Sequence, residues 1–193
     1  MRVIAGKAKG KKLKLVPGEG TRPISDRVKE SVFNILVHDV PDSRFLDLFA
    51  GTGAVGIEAL SQGAAEAVFI EKASKAIRVI RDNLQITNLS SQATVLHQDA
   101  FKYVPATQEQ FDIIYVAPPQ YQGLWSQALQ TIDEHQILAE DGIIVAQIFP
   151  KEFEPVVLQH IVLADQRKYG STLLCFYEPQ PRTGSADRHS LSG

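Results

Sequence analysis

An α/β fold on a mostly parallel sheet, closed at one edge by an antiparallel hairpin, is what three observations in this sequence predict. First, apolar runs at 44–49, 65–71, 111–116 and 142–149 are nearly continuous, as in strands covered on both faces. Second, helical-period segments separate them, giving the strand–helix rhythm of a parallel sheet. Third, the rhythm breaks at the end, where 160–168 and 171–177 flank Tyr169-Gly170 as a hairpin would. Together these describe a Rossmann-like sheet.

The elements follow in order. Residues 2–5 and 12–15, around Gly6 and Gly10, suggest a basic β-hairpin. Pro17, Gly18, Gly20 and Pro23 mark a loop. Ser25 or Asp26 then caps a helix whose apolar face is Val28, Val32, Phe33, Ile35 and Leu36, closed by Pro41. A strand at 44–49 hands over through a glycine turn to a helix through Leu60. The second strand, 65–71, precedes a helix over 74–87 with Ile77, Ile80 and Leu84 on one side. Strands at 94–98 and 111–116, a helix at 124–132 and a strand at 142–149 complete the rhythm. The expected organisation is an extension over 1–40, a Rossmann-like domain over 41–178 and a loose tail over 179–193.

Composition narrows the class. A chain of 193 residues, 44% hydrophobic and 22% charged, buries a core without staples. The single Cys175 cannot form an internal disulfide. No apolar run approaches the roughly 18 residues of a membrane span, and the apolar start is too short for a signal peptide. A cytoplasmic monomer is expected. His38, His97, His135, His160 and His189 lack metal-ligand spacing, so no metal is expected. The net charge of −2 hides an asymmetry: Arg2, Lys7, Lys9, Lys11, Lys12 and Lys14 precede the first acidic residue, Glu19. A basic head on an acidic body is a footprint for a polyanion, or a solvated chain end.

The strongest local signal is Asp47-Leu48-Phe49-Ala50-Gly51-Thr52-Gly53-Ala54-Val55-Gly56. Gly51, Gly53 and Gly56 satisfy G-x-G-x-x-G, and Glu71 ends the next strand about 20 residues on, where a carboxylate accepts ribose hydroxyls. That pattern alone leaves NAD and S-adenosylmethionine open. Asp47 shifts the balance, because a carboxylate beside the turn would repel a pyrophosphate and attract a cationic amino acid moiety. Asp99, after the third strand, is placed to accept from an adenine amino group. Each has a bland alternative: a helix cap for Asp47 and Asp99, a surface carboxylate for Glu71. Three carboxylates at successive strand ends favour S-adenosylmethionine as a shared ligand. The candidate cofactor residues are Asp47, Phe49, Ala50, Gly51, Thr52, Gly53, Glu71, Lys72, Asp99, Ala100 and Arg22.

After the fourth strand comes Ala117-Pro118-Pro119-Gln120-Tyr121, the candidate catalytic loop. Pro-Pro is ordinary loop punctuation, but here it resembles the Asp/Asn-Pro-Pro-Tyr/Phe motif of amino methyltransferases. In that motif an acceptor and the first proline's carbonyl hold the two hydrogens of an exocyclic amine, and the aromatic residue stacks on the base. With Arg2-Val3-Ile4-Ala5-Gly6, the Thr21-Arg22-Pro23-Ile24-Ser25-Asp26-Arg27-Val28-Lys29-Glu30 stretch and Tyr169-Gly170-Ser171-Thr172, the chain resembles bacterial 16S rRNA guanine-N2 methyltransferases of the RsmD type over residues 2–178. The resemblance implies an S-adenosylmethionine-dependent methyltransferase fold, small-subunit rRNA as partner, and RNA contacts from Lys7, Lys9, Lys11, Lys12 and Arg27. It also implies Arg22 and Phe33 over the cofactor, a core position being the alternative for Phe33. The sequence departs from the motif at Ala117, which has no acceptor, and at Gln120, inserted before Tyr121. Gln120's amide is one replacement. The rival expectations are a cofactor- and RNA-binding protein without turnover, and a NAD-dependent oxidoreductase. Trp125 is either a base-pocket wall or a packing residue.

Overall fold

The computed structural model describes residues 1–18 and 24–181. Seven strands form one sheet in the order β3-β2-β1-β4-β5-β7-β6. In chain order these are β1 (Arg44–Asp47), β2 (Glu66–Glu71), β3 (Ala93–His97), β4 (Phe111–Val116), β5 (Leu138–Ile148), β6 (Ile161–Tyr169) and β7 (Thr172–Pro179). The helices are α1 (Asp26–Ile35), α2 (Ala54–Ser61), α3 (Ser74–Thr87), α4 (Ala100–Ala106) and α5 (Leu124–His135). All pairings from β3 through β5 are parallel, while β7 runs antiparallel to both β5 and β6. The expected mixed sheet is therefore present.

Alternation along the strands divides the interior into two layers. Phe45, Phe69, Ile113, Tyr115 and Val145 face α1, α2 and α3, whereas Leu46, Val68, Ile114, Val116 and Ala146 face α4 and α5. Phe33, 2% exposed, stacks on Phe45 with centroids 6.4 Å apart, in the core position that was the alternative expected for it. Trp125, 2% exposed, stacks on Phe153 and is likewise packing. Ser25 caps α1, its side chain accepting from the Val28 N–H.

The N-terminal hairpin is present in compact form: an antiparallel Arg2–Lys12 bridge, with the Val3 N–H donating to the Lys11 carbonyl (2.9 Å), the Gly10 N–H to the Val3 carbonyl (2.9 Å) and the Leu13 N–H to the Met1 carbonyl (3.1 Å). Val3, Ala8 and Leu13 turn inward and join the layer containing α1 and α2. Gly6 (φ +81°) lies flat against the end of α2, where a Cβ would meet the Ser61 carbonyl oxygen at 1.8 Å. The fifth strand begins at Leu138, not 142, because register slips between Phe111/Leu138 and Ile113/Ile143 and bulges 139–142 outward. Among the described residues, no helix is long and apolar enough to cross a membrane.

Candidate active site

Between β1 and β4 the sheet changes direction of progression, and ligands of such sheets sit beyond the strand ends at that point. Both signature loops leave from there. Asp47 ends β1 beside Tyr115 of β4, and the chain continues into the glycine turn on one strand and the Pro-Pro loop on the other.

The three glycines have separate reasons. Gly51 (φ +54°) and Gly53 (φ +78°) take left-handed conformations that close the turn, with the Gly53 N–H bonded to the Ala50 carbonyl at 2.7 Å. Gly56 lies over the Phe69 ring, where a Cβ would come within 2.3 Å, so it permits α2 to approach the sheet. The Gly56 N–H donates to Asp47 Oδ2 at 3.0 Å. Asp47 is buried, and loss of solvent, opposed by that hydrogen bond and reinforced by the charge of Glu71, pushes its carboxyl up to about 7.

Glu71 spans the turn: Oε2 accepts from the Gly51 N–H (2.9 Å) and Oε1 from the Ala73 N–H (2.8 Å). Asp99 caps α4, accepting from the Phe101 N–H at 2.8 Å, so its bland alternative holds in this structure. Ala50 and Ala100 are buried, and Phe49 meets Phe101 edge-to-face with centroids 6.0 Å apart. The Lys72 carbonyl bonds the His97 ring at 2.9 Å. The Thr52 hydroxyl lies 3.9 Å from Met1 Sδ. Arg22 lies outside the described residues.

The Pro-Pro loop carries Ala117 half-buried and Pro118 buried, with Pro119 and Gln120 exposed. Tyr121 is 66% exposed at φ +59° and packs against Phe149, centroids 5.5 Å apart. Glu152, in the turn after β5, ties this loop down by accepting from the Tyr121 and Phe149 N–H groups. Tyr115, buried two residues before Ala117, donates its hydroxyl to Gln147 of β5.

Lys7, Lys9, Lys11, Lys12 and Arg27 are exposed, whereas Lys14 pairs with Asp82 at 2.8 Å. The backbone carrying the lysines is anchored. Glu58 of α2 accepts from the Ile4 N–H (2.9 Å) and the Ala5 N–H (3.0 Å), and Ser61 Oγ accepts from the Ala8 N–H at 2.9 Å. Lys29, with no side-chain exposure, pairs with Glu58 at 3.1 Å and donates to the Arg2 carbonyl at 2.6 Å. Asn83, also buried, holds Lys14 through both backbone groups (2.7 and 3.1 Å) and the Thr52 carbonyl at 3.0 Å. The basic segment and glycine turn thus share one hydrogen-bonded frame. Asn83, Gln147 and Glu152 carry no motif, and sequence reading passes over them; Lys29 and Glu58 lie in or beside the family-like stretches, but nothing local pairs the two.

A shallow polar depression of about 630 Å³ lies at the other end of the sheet, lined by Arg44, Glu109, Gln110 and His135 among others. Arg44 is already paired with Glu66 and Glu109 there, and the chemistry-bearing loops are at the opposite end. Among the described residues, no three His, Cys, Asp or Glu side chains are grouped to hold a metal ion.

Known proteins are similar to this chain in sequence and fold. A Bacillus subtilis protein described as a candidate rRNA methyltransferase, YlbH, is 40% identical over 182 residues, covering 92% of this chain and 98% of its own. Ribosomal RNA small subunit methyltransferase D of Escherichia coli is 30% identical over 187 residues, covering 97% and 93%. The solved structure of a candidate methyltransferase, yhhF, from Escherichia coli superposes with a TM-score of 0.82 at 32% identity, covering 93% of this chain and 97% of that one. The family model for conserved hypothetical protein 95 matches residues 1–178, taking in basic segment, glycine turn and terminal hairpin together, and the chain belongs to that family.

Proposed function

We propose that this chain is an S-adenosylmethionine-dependent methyltransferase that modifies small-subunit ribosomal RNA at a base amine, guanine N2 by preference. The observation that carries the reading is the meeting of an Asp47-led glycine turn and a Pro-Pro loop at one switch point of the sheet. Relatives named as small-subunit rRNA methyltransferases support the same reading over the non-catalytic one.

The residues fit the cofactor by their chemistry. A buried carboxyl held up near 7 gains a partner in an ammonium group. Glu71 retains lone pairs for a ribose diol, and Asp99 for an adenine amine. Phe49 and Phe101 offer an apolar wall. The turn at 50–53, with Lys72 and Ala100, completes the candidate lining, and Arg22 belongs to the same proposal. When bound, the cofactor supplies an electrophilic methyl group on a sulfonium. NAD fits less well, because Asp47 stands where a pyrophosphate would approach.

At the catalytic loop the Pro118 carbonyl accepts one amine hydrogen, opposing delocalisation of the nitrogen lone pair into the ring. Tyr121, exposed beside Phe149, stacks on the unpaired base. Lys7, Lys9, Lys11, Lys12 and Arg27, on the 1–40 extension, bind phosphate by counterion release. Residues 41–178 form the catalytic unit; the tail expected from 179 starts on the last residues of the sheet edge, with Pro179 opposite Ile161, and from 182 on lies outside the described residues. The protein acts as a cytoplasmic monomer.

Tritiated-methyl transfer to small subunits lacking the modification, followed by nucleoside mapping, tests this. Label in 2-methylguanosine is expected. A folded protein that binds S-adenosylhomocysteine yet labels no RNA would overturn the catalytic reading.

A further inference from the structure

The motif loop lacks its side-chain acceptor at Ala117, and the adjacent strand offers one. β4 and β5 are parallel and in register from Ile113↔Ile143 to Val116↔Ala146, so continuing the ladder by one residue sets Ala117 beside Gln147. Neighbours in a parallel ladder point to the same face. That face is the one bearing Tyr115 and Val145. Gln147 therefore stands where a longer side chain at 117 would reach.

Its carboxamide is already oriented. The Tyr115 hydroxyl donates to Gln147 Oε1. Burial raises the Tyr115 phenol well above its usual 10, so it remains a neutral donor at working pH. An amide oxygen accepts two hydrogen bonds, and the phenol uses one. Gln147 also sits inside the sheet, its backbone paired with Leu174 of β7, whereas Gln120 is exposed on the loop beyond the prolines. A site on a strand holds geometry better than one on a loop.

Resting on the reading that the chain methylates a base amine, we propose that Gln147 is the acceptor that replaces the missing side chain at position 117. Its Oε1 and the Pro118 carbonyl hold the two amine hydrogens, Oε1 being fixed by Tyr115. The nitrogen lone pair then attacks the sulfonium methyl carbon, the carbon–sulfur bond breaks with its electrons going to sulfur, and the amine later releases one proton to solvent.

The test uses the full chain on small subunits lacking the modification, with single-turnover methyl transfer at saturating cofactor. Melting and S-adenosylhomocysteine calorimetry verify folding and cofactor affinity for each variant. Gln147→Leu is expected to slow transfer by about 10²–10³-fold, the scale for losing one oriented polar group, with cofactor affinity unchanged. Gln147→Glu retains an acceptor and is expected to stay within about tenfold of wild type. Ala117→Asp in the Gln147→Leu background restores at least about tenfold, because it returns an acceptor to the same place. Tyr115→Phe/Gln147→Leu stays as slow as Gln147→Leu. Recovery in that double variant would mean that Gln147 only satisfies a buried phenol, and would overturn the proposal. So would a Gln147→Leu rate within threefold of wild type. If wild type itself transfers no methyl, the function proposed above fails and this assignment falls with it. An active wild type with an indifferent Gln147 sinks this assignment alone.

Discussion

Replacing Glu58 with alanine tests whether the basic segment is built into the molecule or merely attached to it. The Glu58 carboxylate is fully buried and serves the Lys29 ammonium, the Ile4 and Ala5 N–H groups and the Gln62 amide at once. Glu58→Ala leaves a buried ammonium with only the Arg2 carbonyl, plus two backbone donors without an acceptor. Breaking a buried pair by removing one partner costs about 3–5 kcal/mol, and an orphaned donor adds about 1–3 before water enters. Allowing for relaxation, we expect a loss of about 4–6 kcal/mol. For a chain of this size each kcal/mol moves the melting temperature by roughly 2–4 °C, so a drop of about 10–20 °C should follow. Lys29→Met/Glu58→Met removes both charges and should recover part of this, but not the share belonging to the Ile4 and Ala5 donors. Differential scanning calorimetry measures the drop, and salt-titrated RNA binding should report a weaker, shallower dependence as the segment loosens. A Glu58→Ala melting point within about 2 °C of wild type would refute the reasoning.

Three further outcomes are expected. Glu71→Ala should weaken S-adenosylhomocysteine binding by about 1.5–3 kcal/mol in calorimetry, the worth of a hydrogen bond to a charged group; unchanged affinity in the folded variant removes Glu71 from the site. Neutralising Lys7, Lys9, Lys11 and Lys12 together should flatten the salt dependence of RNA binding while cofactor affinity holds, and an identical slope would assign them to solvent only. Asp47 has a folded value of about 7 against a usual 3.8, so the folded protein binds the extra proton. The contribution of Asp47 to stability should be full below pH 4 and be lost as pH rises to about 7, by an amount on the order of 4 kcal/mol, with Asp47→Asn removing that part of the slope. Cofactor affinity should rise over the same range as Asp47 ionises, and denaturant melts and calorimetry at pH 5 and 8 that match between wild type and variant would contradict both.

What the sequence disclosed is what periodicity and short motifs can carry. Continuous apolar strands located the sheet, and the Tyr169-Gly170 turn located its antiparallel edge. The spacing from Asp47 to Gly56 was legible because nine residues bring a strand end back over the next helix. The N-terminal hairpin was legible in its two short stretches around Gly6 and Gly10, but alternation at Val3 and Leu13 records burial without naming the partner, and the helix that anchors the segment is α2. Lys29 reads as one more surface charge, since Glu58 lies in another element. Gln147 was invisible for a related reason: its importance comes from the register of β4 on β5, which no local pattern encodes.

The anchoring of the first residues on α2 also has a consequence for how the chain is made. Ile4, Ala5 and Ala8 find their acceptors on Glu58 and Ser61, 53 or 54 residues further along. Emerging from the ribosome ahead of α2, this stretch waits as a bare polycation until α2 has been synthesised, and Lys29 cannot pair with Glu58 before then. The opening third of the polypeptide must therefore condense collectively, late rather than stepwise, because distant contacts carry a loop-closure cost before they return any energy. A nascent chain stalled short of Ser61 should remain open to protease along its whole exposed length, and resistance should come only once α3 and β4, which complete the frame around Lys14 and β1, are also available.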